Sequence, residues 1–211
     1  VYLDTLLLNL QRSGVGCYMG RCCLSVLAYA DDIVILAPSA SAMRKLLSIC
    51  DEFAFKYDVI FNASKSKCIF YHPVGCHSYC TVKPTFYIGT NAIEFVNSWP
   101  HLGHVLNNNL TDTDDILNRR GMLVGQINDV LCYFAKLGPI IKTNLLYSYC
   151  SSLYGCELWD LCSPQLSTIG VSWRKGLKRL WNLPYNTHGH ILYAVCGKWP
   201  IEDEMCRISL R

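Results

Sequence analysis

Two adjacent carboxylates interrupt a run of apolar, β-forming residues in the first part of the chain. The run reads LAYADDIVILAP, from Leu27 to Pro38, and places Asp31 and Asp32 between the segments SVLAY and IVILA. Both segments are apolar at nearly every position, which is typical of strands buried on both faces. The pattern therefore predicts a tight antiparallel hairpin with two like charges at its bend.

Two interpretations account for these acids. Aspartate is common in ordinary solvated turns, so the pair can simply mark the tip of the hairpin. Alternatively, a cation compensates the repulsion between the neighbouring carboxylates. Mg²⁺ is then the natural candidate, because it takes hard oxygen ligands and often bridges carboxylates to substrate phosphates.

The remaining patterns predict an α+β chain of two parts. In residues 1–106, helices are expected at Val1–Gly14 and Ser39–Asp58, with strands between and after them. Ser39 and Ser41 are the candidate N-caps of the second helix. The expected strands include Cys22–Tyr29 and residues 59–61, the latter followed by a polar turn at Asn62–Lys67. A polar break, NNNLTDTDD, then opens residues 107–211, where three successive helical patterns predict an all-α second part. The first of these helices is expected to run from Asp114 to about Leu137.

Composition limits the function classes. The chain has 211 residues, 51% of them hydrophobic, which suffices for a packed core, and a net charge of +3. Its thirteen cysteines are scattered and odd in number, which favours free thiols in a reducing compartment. Neither a secretion signal nor a membrane-spanning run is recognisable. We therefore expect an intracellular protein of the nucleus or cytoplasm, without a membrane partner.

Several motifs occur in an order that resembles one enzyme family. YADD at Tyr29–Asp32, between apolar strands, resembles the Tyr-x-Asp-Asp hairpin of reverse transcriptases. FNASKSK and WPHLGHVL resemble the palm motif and the primer-grip hairpin that follow it. SYCSSLYGCELW and WRKGLKRLWNLPYNTH resemble the thumb of the non-LTR (LINE-type) retrotransposon enzymes. The resemblance covers essentially the whole chain and implies the C-terminal part of a polymerase palm followed by a helical thumb.

The resemblance implies a role for each matched residue of the palm. Asp31 would ligate the catalytic Mg²⁺ ions, with Asp32 as a supporting ligand, in a two-metal nucleotidyl transfer. Tyr29 would lie near the primer end and the incoming nucleotide. Lys65 best matches the basic residue that protonates or neutralises the leaving pyrophosphate, and Lys67 competes for that assignment.

The resemblance also implies nucleic-acid contacts. Leu102 and Gly103 would form the primer grip, where glycine lets one backbone approach another. Basic residues of the helical part are candidates for contacts to the phosphates of an RNA template paired with a DNA primer. These residues equally suit a charged outer helix face. They are Arg119, Arg120, Arg174, Lys175, Lys178 and Arg179.

A palm of this type also needs a carboxylate on an earlier strand. Asp4 cannot supply it, because it lies in a leucine-rich predicted helix. We therefore expect a fragment that is inactive alone and whose partners include RNA, DNA, a dNTP and the fingers and N-terminal palm of the same polyprotein. Three alternatives remain: a non-catalytic nucleic-acid-binding relic, a group II intron-type maturase and a remnant that does not fold.

Other candidate ligands have weaker patterns. His72, Cys76, His77 and Cys80 lie close together in the sequence, but their cramped spacing disfavours zinc as a cofactor. His188 and His190 are expected in a loop. The five tryptophans fall at helical or turn positions, which is more typical of core residues than of base-stacking platforms.

Overall fold

A computed structural model describes residues 2–71, 83–150 and 153–209, for Tyr2 the backbone alone. Within these ranges the fold is α+β, as predicted, with seven α-helices and ten short strands. The helices are α1 Tyr2–Arg12, α2 Ala40–Tyr57, α3 Thr113–Tyr133, α4 Pro139–Tyr149, α5 Leu166–Leu180, α6 Gly189–Cys196 and α7 Ile201–Ser209. No helix in the described ranges is both long and apolar enough to cross a membrane.

The strands pair two by two. Four of the pairs are antiparallel, β1–β2, β3–β4, β6–β7 and β9–β10, and β5–β8 is parallel. Their bounds are β1 Tyr18–Met19, β2 Cys22–Cys23, β3 Val26–Tyr29, β4 Asp32–Ile35, β5 Lys67–Ile69, β6 Tyr87–Ile88, β7 Asn91–Ala92, β8 Glu94–Val96, β9 Ser98–His101 and β10 His104–Asn107.

The chain forms two compact units that divide between Val96 and Asn97. The sequence placed the boundary after residue 106, and so assigned the hairpin β9–β10 to the first part. In the structure this hairpin belongs to the second unit. The reason is a set of hydrogen bonds to α3, in which Asp115 accepts from the Val105 N–H at 2.9 Å.

The core of the first unit lies between α1, α2 and the hairpin β3–β4. Ser39 caps α2 by accepting a hydrogen bond from the Ala42 N–H at 3.2 Å, as a predicted N-cap should. Asp58, in the left-handed conformation, ends the helix. The buried side chains of this core are Leu6, Leu10, Val26, Leu46, Cys50 and Phe53.

Two strand predictions in the first unit are wrong. The expected strand Cys22–Tyr29 is interrupted at Ser25, which is fully buried and donates to the Val15 carbonyl at 3.1 Å. This bond aims the serine inward, where Gly16 leaves room for it. Residues 59–61 were expected to be a strand and are irregular. The strand that follows them, β5, pairs in parallel with β8 and not with residues 59–61.

The core of the second unit lies among α3 to α7. Helix α3 ends at Tyr133, earlier than predicted, whereas Gly138 and Pro139 start α4 as the sequence indicates. His190 lies in α6 and not in a loop. Trp159 and Trp173 are core residues, as predicted, but Trp199 is 71% exposed. This core is centred on Ile116, Leu123, Ile127, Leu146, Ile169, Trp173 and Leu177.

Candidate metal and nucleic-acid site

The acid pair lies at the bend of hairpin β3–β4, which confirms the predicted hairpin. Tyr29 pairs with Asp32 across the two strands, and Ala30 and Asp31 form the connecting turn. Ala30 has a φ of 54°, the left-handed conformation that tight hairpin turns require. Both aspartates are exposed to solvent. The hairpin therefore presents two adjacent carboxylates at its tip.

Only one face of this hairpin is buried, so the prediction of strands buried on both faces is wrong. Val26 and its cross-strand partner Ile35 pack against the core of the first unit. Leu27 is 51% exposed and Tyr29 is 69% exposed. Because side chains alternate along a strand, the core takes one face, and the open face carries Tyr29 opposite Asp32.

The acid pair fits a magnesium ion better than a zinc ion. Its donors are hard carboxylate oxygens, and Mg²⁺ is commonly held by one or two carboxylates together with waters and substrate phosphates. In the described ranges no group of three histidine, cysteine or acidic side chains is placed to hold a metal. The candidate zinc ligands His72, Cys76, His77 and Cys80 lie outside the described residues.

The two competing lysines have different surroundings. The Lys67 ammonium forms an ion pair with the Glu94 carboxylate at 2.7 Å, and its side chain is only 14% exposed. Lys65 is exposed and its backbone N–H donates to the Asn62 side chain at 3.1 Å, so it lies in the predicted polar turn. Among the residues described, no carboxylate pairs with Lys65. The Lys67 charge is thus paired with Glu94 of β8, whereas the Lys65 side chain is exposed to solvent.

The expected primer-grip residues form the turn of hairpin β9–β10. Leu102 and Gly103 have φ values of 48° and 82°, and His101 pairs with His104 on either side of them. Positive φ at both turn residues is the pattern of a type I′ hairpin turn. The Gly103 carbonyl accepts a hydrogen bond from Arg119 at 3.0 Å. The Arg119 side chain of α3 therefore holds this turn in place.

A buried acid that sequence reasoning missed links this hairpin to the rest of the second unit. Asp115 is 4% exposed and accepts hydrogen bonds from the Trp159 indole at 2.7 Å and the Val105 N–H at 2.9 Å. The carboxylate oxygen that accepts from the Trp159 indole also lies 3.1 Å from His104 Nδ1. The signal in the sequence was an acid in the first turn of a helix, which is ordinary. Only the fold shows that Asp115 joins α3 to β10 and to Trp159, and this group of bonds is called the Asp115 hub.

Three of the arginines proposed to bind phosphates hold helices and hairpin together. Arg120 donates to the Ser172 hydroxyl at 3.0 Å and so joins α3 to α5. Arg174 forms an ion pair with Glu202 of α7 at 2.5 Å. Arg119 contacts Gly103, as described above. The structural role of these side chains is shown, and a phosphate role stays a prediction.

The C-terminal half of α5 carries the remaining basic candidates. The Arg179 guanidinium donates to the Asn128 side chain at 2.8 Å. Lys178 donates to the Tyr185 carbonyl at 2.7 Å, and its ammonium lies 5.5 Å from the centre of the tyrosine ring. Lys175 lies 5.9 Å from the same ring. The structure thus brings both lysines together around Tyr185, a residue that sequence reasoning did not select.

The chain was also compared with known proteins. No protein-family model and no curated protein was found to match it.

Proposed function

We propose that this chain carries the second half of the metal site of an RNA-directed DNA polymerase of the non-LTR retrotransposon type. The supporting observation is the exposed pair Asp31–Asp32 at the bend of a hairpin whose other end is anchored in the core. An anchored bend gives the carboxylates a fixed position and leaves their oxygens available to a cation.

In this proposal the divalent ions supply the activation of the primer 3′-hydroxyl and the neutralisation of charge on the phosphates. Asp31 would hold these ions, with Asp32 as the supporting ligand. Tyr29 pairs with Asp32 on the open face of the hairpin, so its ring lies beside the acids, where a primer end or nucleotide would bind. In the family that the chain resembles, a further carboxylate on another palm strand completes such a site.

Lys65 is the better candidate for the group that neutralises or protonates the leaving pyrophosphate. Lys67 already neutralises Glu94, and transferring it to pyrophosphate would leave that carboxylate unpaired. Lys65 has no such commitment in the described part of the chain. The proposal therefore assigns the general-acid role to Lys65.

The second unit provides nucleic-acid contacts in the proposal. The turn at Leu102 and Gly103 acts as a primer grip whose position depends on Arg119 and on the Asp115 hub. Of the basic candidates, Lys175 and Lys178 are best placed for phosphates, because they lie together around one exposed aromatic ring and no described carboxylate pairs with either of them. We propose a nuclear or cytoplasmic location, where RNA templates and dNTPs are present.

RNA-templated primer extension tests this proposal. The 211 residues are joined behind the fingers and N-terminal palm of an active non-LTR reverse transcriptase, and labelled dNTP incorporation is measured with Mg²⁺. We expect Asp31→Asn to lower incorporation at least about a hundredfold, because it removes a metal ligand. The exposed helix acid Glu52 is the matched control, and Glu52→Gln should leave incorporation unchanged.

Equal incorporation by the Asp31→Asn protein and its parent would refute the proposal. Binding of the template–primer without any metal-dependent synthesis by the parent would support a non-catalytic nucleic-acid-binding protein instead. The 211-residue chain by itself should not extend a primer, because no residue of it matches the additional palm carboxylate.

A further inference from the structure

We propose that Tyr185, Lys175 and Lys178 form a binding surface for single-stranded nucleic acid, here called the Tyr185 surface. One base stacks on the tyrosine ring, and the two ammonium groups contact the phosphates on either side of it. The inference rests on the proposed function and specifies its nucleic-acid partner as an unpaired strand. It assigns a stacking role to Tyr185, a residue that sequence reasoning did not select as a binding residue.

Tyr185 is held in position although its side chain is exposed. The loop after α5 turns back on the helix, where the Leu183 N–H donates to the Lys178 carbonyl at 2.8 Å. The Lys178 ammonium then donates to the Tyr185 carbonyl at 2.7 Å. The residue nevertheless remains 76% exposed. A ring on a fixed backbone loses little conformational freedom when a ligand binds to it.

The charge around this ring is positive and not neutralised locally. Helix α5, Leu166–Leu180, contains no acidic residue, and neither does the segment WNLPYNTH that follows it. In the described ranges no carboxylate forms an ion pair with Lys175 or Lys178. This distinguishes them from Arg174, which is paired with Glu202. The two lysines can therefore accept an anion without breaking an existing ion pair.

An exposed ring beside two ammonium groups that form no ion pair with a described carboxylate suits unpaired nucleotides better than other anions. Aromatic side chains bind single strands by stacking on base faces, while basic residues follow the backbone. A duplex keeps its base faces inside the stack and offers only phosphates, so it would not use the ring. An acidic peptide would use the lysines without the ring. Neither stacking nor phosphate contact reads the 2′-hydroxyl, so RNA and DNA strands should bind alike.

Among the described tyrosines with exposed side chains, no other has two basic groups over its ring. Tyr133, the last residue of α3, is 81% exposed, yet no described lysine or arginine lies over its ring. Tyr133 therefore provides a matched control: a ring of similar exposure without the flanking charges.

The test measures binding of the 211-residue chain to fluorescent oligonucleotides that contain 2-aminopurine, in buffer with EDTA. We expect quenching of 2-aminopurine on a single strand, because the base stacks on the ring. Tyr185→Ala should weaken binding about tenfold and abolish the quenching. Tyr185→Phe and Tyr133→Ala should behave as the parent. Replacing both lysines by glutamine should reduce the slope of log K against log salt by roughly 1.4.

The EDTA separates this test from the polymerase proposal. An Asp31→Asn chain should bind the single strand as the parent does, whatever the primer-extension result. Unchanged binding and quenching by Tyr185→Ala would overturn the inference. So would tighter binding of duplex than of single strands through the Tyr185 surface. Displacement of the strand by poly-glutamate, with no effect of Tyr185→Ala, would overturn it in favour of an acidic protein partner.

Discussion

At the scale of single residues, two motifs of the second unit meet at glycines. Gly155 has a φ of 80°, and a Cβ there would overlap the His104 ring. Gly103 has a φ of 82°, and its Cβ would come within 3.0 Å of the Tyr154 ring. The strings HLGH and YGCELW therefore fit against one another, and Trp159 of the second string bonds the same Asp115 as His104. This close contact explains why positions 103 and 155 are glycines.

Gly155→Ala should lower the free energy of unfolding of the second unit by about 3 kcal/mol. The added methyl group meets a ring that Asp115 holds in place, and the left-handed backbone disfavours alanine. Urea unfolding followed by tryptophan fluorescence measures the effect, since all five tryptophans lie after residue 97.

Gly20→Ala is the control for backbone strain alone. Gly20 also has a positive φ, 62°, but open space surrounds the position of its Cβ. We expect a loss of about 1 kcal/mol there, monitored by circular dichroism because Gly20 lies in the first unit. Equal losses in the two variants would mean that the contact between His104 and Gly155 adds nothing to stability.

At the scale of elements, α2 is the helix that supports the acidic hairpin. Its buried residues Leu46, Cys50 and Phe53 recur at helical spacing and face the same core as Val26. The hairpin contributes only one of its faces to this core. Its orientation, and with it the position of the acids, therefore depends on packing against α1 and α2.

Leu46→Ala should destabilise the first unit by about 2–5 kcal/mol, because Leu46 is fully buried and the change leaves a cavity. Urea unfolding followed by far-ultraviolet circular dichroism checks this value. Phe55 on the same helix is 94% exposed, so Phe55→Ala should change stability by less than about 0.5 kcal/mol. A similar cost for both substitutions would contradict the assignment of the buried face.

Local patterns were sufficient for elements whose contacts are local. Helix α2, with its serine cap, and hairpin β3–β4 follow from periodicity and turn residues alone. The parallel pair β5–β8 joins segments far apart in sequence, and no local pattern specifies such a partner. The Asp115 hub was missed for the same reason. Asp115 and its partners His104 and Trp159 come from three separate segments of the chain.

At the scale of the whole molecule, both units bury free thiols. Burial raises the pKa of Cys50 in the first unit to about 12, with a smaller contribution from the neighbouring Asp51. Burial likewise raises the pKa of Cys150 and Cys156 in the second unit to about 11. In the unfolded chain these thiols would ionise near their ordinary pKa of 9.0.

Stability should therefore be independent of these thiols below about pH 9 and decrease as the pH rises from 9 towards 11–12. Above pH 9 the unfolded chain loses protons that the folded chain retains, which favours unfolding. Urea unfolding at pH 8 to 11 under reducing conditions measures the decrease. Cys50→Ala should make it shallower, and the exposed Cys132→Ser should not. Equal pH dependence in all three proteins would contradict this account.

The acid pair and the Tyr185 surface lie in different units and carry opposite charge. The proposed polymerase function needs both features, a cation site for catalysis and a surface that contacts phosphates. The central claim is that Asp31 and Asp32 bind a divalent cation. The alternative is an ordinary turn of two solvated aspartates, which would need no ligand.

Titration of the isotope-labelled 211-residue chain with Mn²⁺, followed by NMR, tests that claim most directly. Mn²⁺ is paramagnetic and substitutes for Mg²⁺ at oxygen ligands, so it broadens the signals of nearby amides. We predict selective broadening of the amides of residues 29–33, retained in Glu52→Gln and lost in the double variant Asp31→Asn, Asp32→Asn. Absence of selective broadening at the hairpin, or its persistence in the double variant, would contradict the claim.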